Sequence, residues 1–317
     1  MKIVITDAET VTSGDLSFCI FEKFGEVKIF NLTQPHEVAE RIKDADIVLC
    51  NKTNMTAENM KNAKKLKYIG LFATGFNNID LDYTNAHGIT VCNVPGYSTE
   101  AVVQHTFALI LQLLCKTMDY NTLVKKGDWI KSRTFSYFPI PLYELANKTI
   151  GIVGYGSIGK RVADVAKAFN MKVLVYKRHK IDDTTVTQVS FDELLKSSDI
   201  VSLHCPLNPD SENMMNVESF RKMKKGSIFI NTARGGLVDE AALKNALLSG
   251  HLLGAGVDVL RHEPMSQDCP LHNIENCIIT PHIAWAGLET RSRLLNIVAD
   301  NLENFIKGTP KNTLSHH

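Results

Sequence analysis

Three short segments in the second half of the chain carry side chains suited to chemistry on a small polar substrate. Asn231-Thr-Ala-Arg234-Gly-Gly236 supplies an arginine, Asp258-Val-Leu-Arg-His-Glu263-Pro264 a carboxylate and Thr280-Pro-His282-Ile-Ala-Trp285 a histidine. A guanidinium can hold a substrate carboxylate bidentately through its planar fork. Histidine titrates close to working pH, so it can deliver or accept a proton as a carbonyl is reduced or a hydroxyl oxidised. A carboxylate beside the ring would stabilise the imidazolium and hold it in orientation. The set suits hydride transfer to or from the carbonyl carbon of a 2-keto acid. Taken singly, each residue has a plain structural reading: a surface arginine, a helix-capping glutamate, a satisfied histidine. Their shared placement needs an explanation.

Each segment follows a short apolar run that reads as a buried strand: Ser227 to Asn231, Gly254 to Val259 and Cys277 to Thr280. Open α/β sheets bind ligands beyond the carboxyl ends of their strands. The same sheet would begin at Thr149 to Val153, ahead of Gly154-Tyr-Gly156-Ser157-Ile158-Gly159. A helix-spaced stretch, Lys160 to Asn170, and a second apolar run, Met171 to Tyr176, follow. A lone glycine fingerprint is weak evidence, but strand, glycine turn, helix and strand in succession are the context a dinucleotide site requires. Gly154 would permit the tight turn, Gly156 the close approach of a pyrophosphate and Gly159 helix-on-strand packing. Amides at the helix N-terminus, from Ser157 and Ile158 onward, would face the phosphates. A further strand is expected at Ile200 to Leu203, with helices at about 191–197, 216–222 and 239–249.

The first hundred residues alternate in the same way without a glycine fingerprint. Strands are expected at Lys2 to Ile5, Val27 to Phe30, Ile47 to Leu49, Tyr68 to Leu71 and Ile89 to Val91, with helices at about 14–24, 35–43, 56–64 and 79–86. Ala73-Thr74-Gly75-Phe76-Asn-Asn78-Ile-Asp80 follows a strand and so lies at a carboxyl edge. The stretch Thr99 to Lys116 is apolar almost all round, which predicts a helix buried in the domain or in a subunit interface. Residues 117–147, with Trp129 and three aromatics within Phe135 to Leu142, read as an irregular arm. An arm of that composition predicts a homodimer contact, the alternative being a loop packed on its own subunit. Leu288 to Lys307 is a last amphipathic helix, and the polar tail after it is expected to be loose.

The 317 residues suffice for about two domains. A net charge of +1 offers no electrostatic reason to bind nucleic acid or an anionic membrane. No apolar stretch approaches the length of a transmembrane helix, and the N-terminus reads as a strand rather than a signal peptide. The seven cysteines form no CxxC pair, which argues against a disulfide framework or a zinc site and for a reducing, cytoplasmic setting.

The chain as a whole resembles the D-isomer-specific 2-hydroxyacid dehydrogenases, most closely their glycerate dehydrogenase/hydroxypyruvate reductase branch. The resemblance rests on ATGFNNID (73–80), NVPGYSTEAVVQHTFALIL (93–111), GIVGYGSIGKRVA (151–163), LHCPL (203–207), NTARGGLVDE (231–240) and TPHIAWA (280–286). It implies an α/β protein of two doubly wound parallel-sheet domains. A Rossmann dinucleotide domain (99–287, with a dimerisation helix and arm at 99–147) would be inserted in a flavodoxin-like substrate domain (1–98 plus 288–317). By the same resemblance, Arg234, Glu263 and His282 take the catalytic positions. The backbone of Thr74, Gly75 and Phe76 would hold the substrate carboxylate, and Asp258 would receive the nicotinamide carboxamide. Cys205, Pro206, Thr232 and Ala233 would line the cofactor. Lys52, Phe76, Trp285 and Phe138 from a partner arm would border a small side chain, as in hydroxypyruvate or glyoxylate.

One departure bears on the cofactor. The NAD-using pattern places an acidic residue about twenty positions beyond the glycines, on the ribose 2′-hydroxyl. Here the stretch reads Val175-Tyr176-Lys177-Arg178-His179-Lys180. Lys177 and Arg178 would neutralise a 2′-phosphate, so NADP(H) is expected over NAD(H), unless Asp182 or Asp183 swings back. Formate dehydrogenases of this fold place glutamine where Glu263 stands, which argues against that activity. Phosphoglycerate dehydrogenases commonly carry C-terminal regulatory domains, for which no residues remain here. An NAD(H)-sensing binding protein of the same fold is the alternative from a different functional class.

Overall fold

The structure, a computed structural model, describes residues 1–314 in two compact units. One comprises Met1–Ser98 with the chain from Ala286 onward, the other Thr99–Trp285. Each unit has its own wholly parallel sheet.

In the first unit, β1 (Lys2–Ile5), β2 (Glu26–Ile29), β3 (Ile47–Cys50), β4 (Tyr68–Leu71) and β5 (Thr90–Cys92) lie in the order β2-β1-β3-β4-β5. This is the flavodoxin-like order, whose topological switch lies between β1 and β3. β3 and β4 are buried at every position, as strands covered on both faces must be. Thr56 and Asp80 cap the helices Ala57–Met60 and Leu81–Ala86 through side-chain oxygens. The last helix, Leu288–Ile306, belongs to this unit and sets Phe305 against Tyr68 of β4, ring centroids 4.7 Å apart. Two expectations fail here. The stretch 14–24 forms only a 3₁₀ segment, Cys19–Phe24. The tail is not loose through residue 314: Leu314 N donates to Val91 O at 2.8 Å and Asn93 N to Asn312 O at 3.2 Å, so it pairs with β5 and the residue after it. Backbone donors at that sheet edge outweigh the polar composition. Residues 315–317, the rest of the expected loose tail, lie outside the described residues.

The second unit contains β6 (Thr149–Val153), β7 (Lys172–Tyr176), β8 (Thr187–Gln188), β9 (Ile200–Leu203), β10 (Ser227–Asn231), β11 (Leu252–Val257) and β12 (Cys277–Ile279). Their order, β12-β11-β10-β9-β6-β7-β8, is the doubly wound dinucleotide-binding order with β12 added, and its switch falls between β6 and β9. The two-residue β8 carries no apolar run and was not expected. The helix Thr99–Cys115 packs on β11, where a Cβ on Gly256 would come within 2.9 Å of Leu109 Cβ. Glycine is what lets the helix lie so close. Its burial is not all round, since Glu100, Gln104 and Ala108 remain exposed. The expected irregular arm begins with a helix, Thr117–Lys125, and only then becomes irregular. That helix has no buried residue, so no apolar stripe announced it. Among the described residues no single helix is long and apolar enough to cross a membrane.

Candidate active site

The glycine turn joins β6 to the helix Ser157–Ala168. Gly154 adopts φ +98°, and a Cβ there would lie 2.6 Å from the carbonyl of His204, just beyond β9. A Cβ on Gly159 would lie 2.1 Å from Gly154 O, whereas one on Gly156 would meet nothing within 4 Å. Two glycines thus serve packing, and the middle one faces open space. The helix N-terminus has no side-chain cap and no acidic residue in its first turn. Free first-turn amides beside an open glycine fit the diphosphate of a dinucleotide. Across the switch, burial holds the His204 ring neutral, with its pKa pushed down to about 3, and pushes the Cys205 thiol up to about 11. Pro206 O accepts from Ser211 Oγ at 2.9 Å.

Beyond β7, Gln188 Nε2 donates to the carbonyls of Lys177 and His179, each at 3.0 Å. The Arg178 guanidinium is half-exposed and pairs with Asp210 at 2.9 Å. Asp183 is engaged elsewhere. It accepts from Thr185 and from the Tyr155 hydroxyl, which pull its carboxyl pKa down to about 2.

The turn after β10 is stapled by buried Asn231, whose Nδ2 donates to Arg234 O at 2.9 Å and whose Oδ1 accepts from Ala233 N at 3.0 Å. Thr232 and Ala233 are thereby fixed and Arg234 is left exposed, its Nη1 on Ala233 O. A Cβ on Gly235 would overlap the Leu260 carbonyl, so this turn lies directly against the loop that leads to Glu263. Glu263 Oε1 accepts from Leu260 N at 2.9 Å and Oε2 meets His282 Nδ1 at 2.7 Å. A carboxylate accepts only, so Nδ1 carries a proton and Nε2 is the end left for a substrate. His282 sits in the left-handed region at φ +55°. Asp258, 1% exposed, holds it there. Its carbonyl accepts from His282 N at 2.8 Å, and its carboxylate accepts from Ile283 N at 2.9 Å and Ala284 N at 2.8 Å. Trp285 Nε1 donates to His282 O at 3.0 Å.

In the first unit, the loops after β3 and β4 are tied to each other by Asn78 Nδ2, which donates to Thr53 O at 2.8 Å. Thr74 is fixed by its hydroxyl on Val94 O at 2.6 Å and by Asn93 on its carbonyl; Phe76 is exposed. Asp7, absent from the sequence reading, organises the β3 loop. Its buried carboxylate accepts from the amides of Asn51 (2.9 Å), Lys52 (2.6 Å) and Thr53 (2.8 Å). The signal was available, since Asp7 follows β1 at the switch point of its sheet. His105 and Thr106, also missed, carried no such signal because they lie in the middle of a helix.

Comparison with known proteins identifies the family. Residues 107–284 match the family model described as D-isomer specific 2-hydroxyacid dehydrogenase, NAD binding domain. The chain is 41% identical to a hydroxypyruvate reductase of Blautia hydrogenotrophica, over 99% of this chain and 100% of that one. It is 39% identical to a glycerate dehydrogenase of Methylorubrum extorquens, over 99% and 98%. Among solved structures, an acyclic imino acid reductase in complex with NADPH and D-Arg superposes with a TM-score of 0.87 at 32% identity, over 99% of this chain and 100% of that one. The match to that family model over more than half of the chain and the full-length similarity to these relatives make this chain a member of the D-isomer specific 2-hydroxyacid dehydrogenase family.

Proposed function

We propose that the chain interconverts a small 2-keto acid of the hydroxypyruvate or glyoxylate type and its D-2-hydroxy acid, with NADP(H) preferred to NAD(H). The observation that carries the reading is the His282–Glu263 pair, 2.7 Å apart, on a loop pinned by buried Asp258. When bound, a nicotinamide dinucleotide supplies or accepts the hydride at the substrate's C2. Arg234 binds the substrate carboxylate and polarises the carbonyl. His282 Nε2 gives its proton to the carbonyl oxygen in reduction and takes it back in oxidation, while Glu263 balances the imidazolium. Thr74, Gly75 and Phe76 are assigned to the carboxylate, and Lys52 and Trp285 to the substrate side chain. Gly154, Gly156, Ser157, Ile158 and Gly159 are assigned to the diphosphate, and Cys205, Pro206, Thr232 and Ala233 to the lining of the cofactor site. Asp258 uses three of about four acceptor positions on Thr280, Ile283 and Ala284, which leaves one for a carboxamide. Lys177 and Arg178 are assigned to the 2′-phosphate; exchange of Asp210 for that phosphate would keep Arg178 paired.

The exposed arm supports a homodimer. Ile130 is 88% and Phe135 92% exposed in the single chain, and Leu111, Leu142, Tyr143 and Phe169 border one groove. Seven free thiols suit a reducing compartment such as the cytoplasm. Initial rates with a panel of 2-keto acids, each with NADPH and NADH, test the assignment. His282→Ala should lose reduction by about 10²–10⁴-fold while still binding cofactor. Near-normal turnover in that variant overturns the acid assignment, and tight NADH binding without turnover by the wild type favours a sensor. Equal or better use of NADH overturns the cofactor preference.

A further inference from the structure

Two consecutive residues of the helix Thr99–Cys115 reach the two loops that carry the reacting side chains. His105 Nε2 lies 2.8 Å from Thr280 Oγ1, two residues before His282. Thr106 Oγ1 lies 3.1 Å from Thr232 Oγ1, two residues before Arg234. The helix itself is rigidly seated, with Leu109 against Gly256 of β11. The direction of the His105 bond follows from proton counting. Thr280 has one hydroxyl proton, and at 2.5 Å from Asp258 Oδ1 it is given to the carboxylate, which has none to offer. Thr280 can then only accept from the ring, so His105 Nε2 bears the hydrogen. A second approach of Nε2 to Asp258 Oδ1, at 3.4 Å, adds attraction in the same direction. The chain from His105 through Thr280 ends on the carboxylate whose oxygens hold the amides of Ile283 and Ala284.

We propose that His105 is a positioning residue. By orienting Thr280 and Asp258, it keeps the His282 loop in its left-handed turn, with the ring on Glu263 and Nε2 free. The inference rests on the reading of His282 as the proton donor and adds a residue to it. Misplacing a reacting group by about 1 Å can cost about 10²-fold in rate, even when the altered residue is remote.

The test compares His105→Ala, His105→Gln and His105→Asn for kcat, both KM values and thermal stability, with His282→Ala measured alongside. A glutamine amide nitrogen reaches the place of Nε2 and can donate; an asparagine is too short. His105→Ala and His105→Asn should lose about 10- to 100-fold in kcat, with cofactor KM within about threefold of wild type, and His105→Gln should regain most of the loss. Should the alanine variant fail to fold, the glutamine–asparagine comparison carries the same expectation. The proposal is overturned if kcat in His105→Ala stays within twofold of wild type, or if glutamine is as impaired as asparagine. Normal turnover in His282→Ala would instead bring down the acid assignment itself, whereas its loss beside a normal His105→Ala brings down only the positioning role.

Discussion

Replacing Gly156 and Gly159 by alanine, one at a time, separates binding from packing within a single turn. At Gly156 the new methyl meets no heavy atom within 4 Å, and the backbone, at φ −89° and ψ −161°, accepts any residue. As N-cap of Ser157–Ala168 the position prefers glycine to alanine by roughly 0.5–1 kcal/mol. The lower entropy of the unfolded alanine chain returns about 0.4–1 kcal/mol. Stability should therefore hold to within about 1 kcal/mol. At Gly159 the methyl would sit 2.1 Å from Gly154 O and 3.3 Å from an Ile152 methyl, so backbone must move. Overpacking costs about 1–3 kcal/mol, and an obstacle of backbone puts this site at the upper end. For a unit of this size each kcal/mol lowers Tm by about 2–4 °C, so a fall of about 5–10 °C is expected. Cofactor affinity should reverse the pattern. Gly156→Ala fills the space assigned to the diphosphate and should weaken NADPH by about tenfold or more, about 1.4 kcal/mol. Thermal unfolding and fluorescence titration with NADPH read the two quantities independently. Wild-type affinity in Gly156→Ala refutes the phosphate assignment, and an unchanged Tm in Gly159→Ala refutes the packing argument.

Arg178→Ala should raise the KM for NADPH by about tenfold and leave that for NADH nearly unchanged; parallel changes in the two would remove Arg178 from cofactor choice. Asp7→Asn sets an amide nitrogen against backbone donors now satisfied by a carboxylate, chiefly Asn51 N at 2.9 Å. It should cost about 2 kcal/mol and raise the KM for the keto acid, and a Tm equal to wild type would contradict the account. His204 is displaced from an ordinary 6.5 to about 3 by burial, so the unfolded chain takes up this proton first. Stability is then lost as pH falls from 6.5 towards 3, by a few kcal/mol at most, and is unaffected above that window. His204→Gln should flatten the acid limb of Tm against pH, and an identical limb in both proteins would show that the ring is not responsible.

The sequence by itself determined what depends on local period and local backbone demand. Short apolar runs such as Ile47–Cys50 and Tyr68–Leu71 must be covered on both faces, so their alternation with helices predicted two parallel sheets. Gly154 and Gly159 advertised a turn because only glycine meets its steric demands, and Arg234, Glu263 and His282 stood out because each lies beyond the end of a strand. Polar local patterns were the weak point. The helix Thr117–Lys125, the strand Thr187–Gln188 and the 3₁₀ segment Cys19–Phe24 lack a buried stripe long enough to read. Tertiary structure alone decided the interactions between residues far apart in the chain. Asp7 meets the Asn51–Thr53 amides because β1 and β3 are neighbours, His105 meets Thr280 because its helix packs on β11 beside β12, and residues 312–314 pair along β5 and Asn93. A hydrogen bond across 44 or 175 residues leaves no periodic trace, since it depends on which loops the fold places side by side.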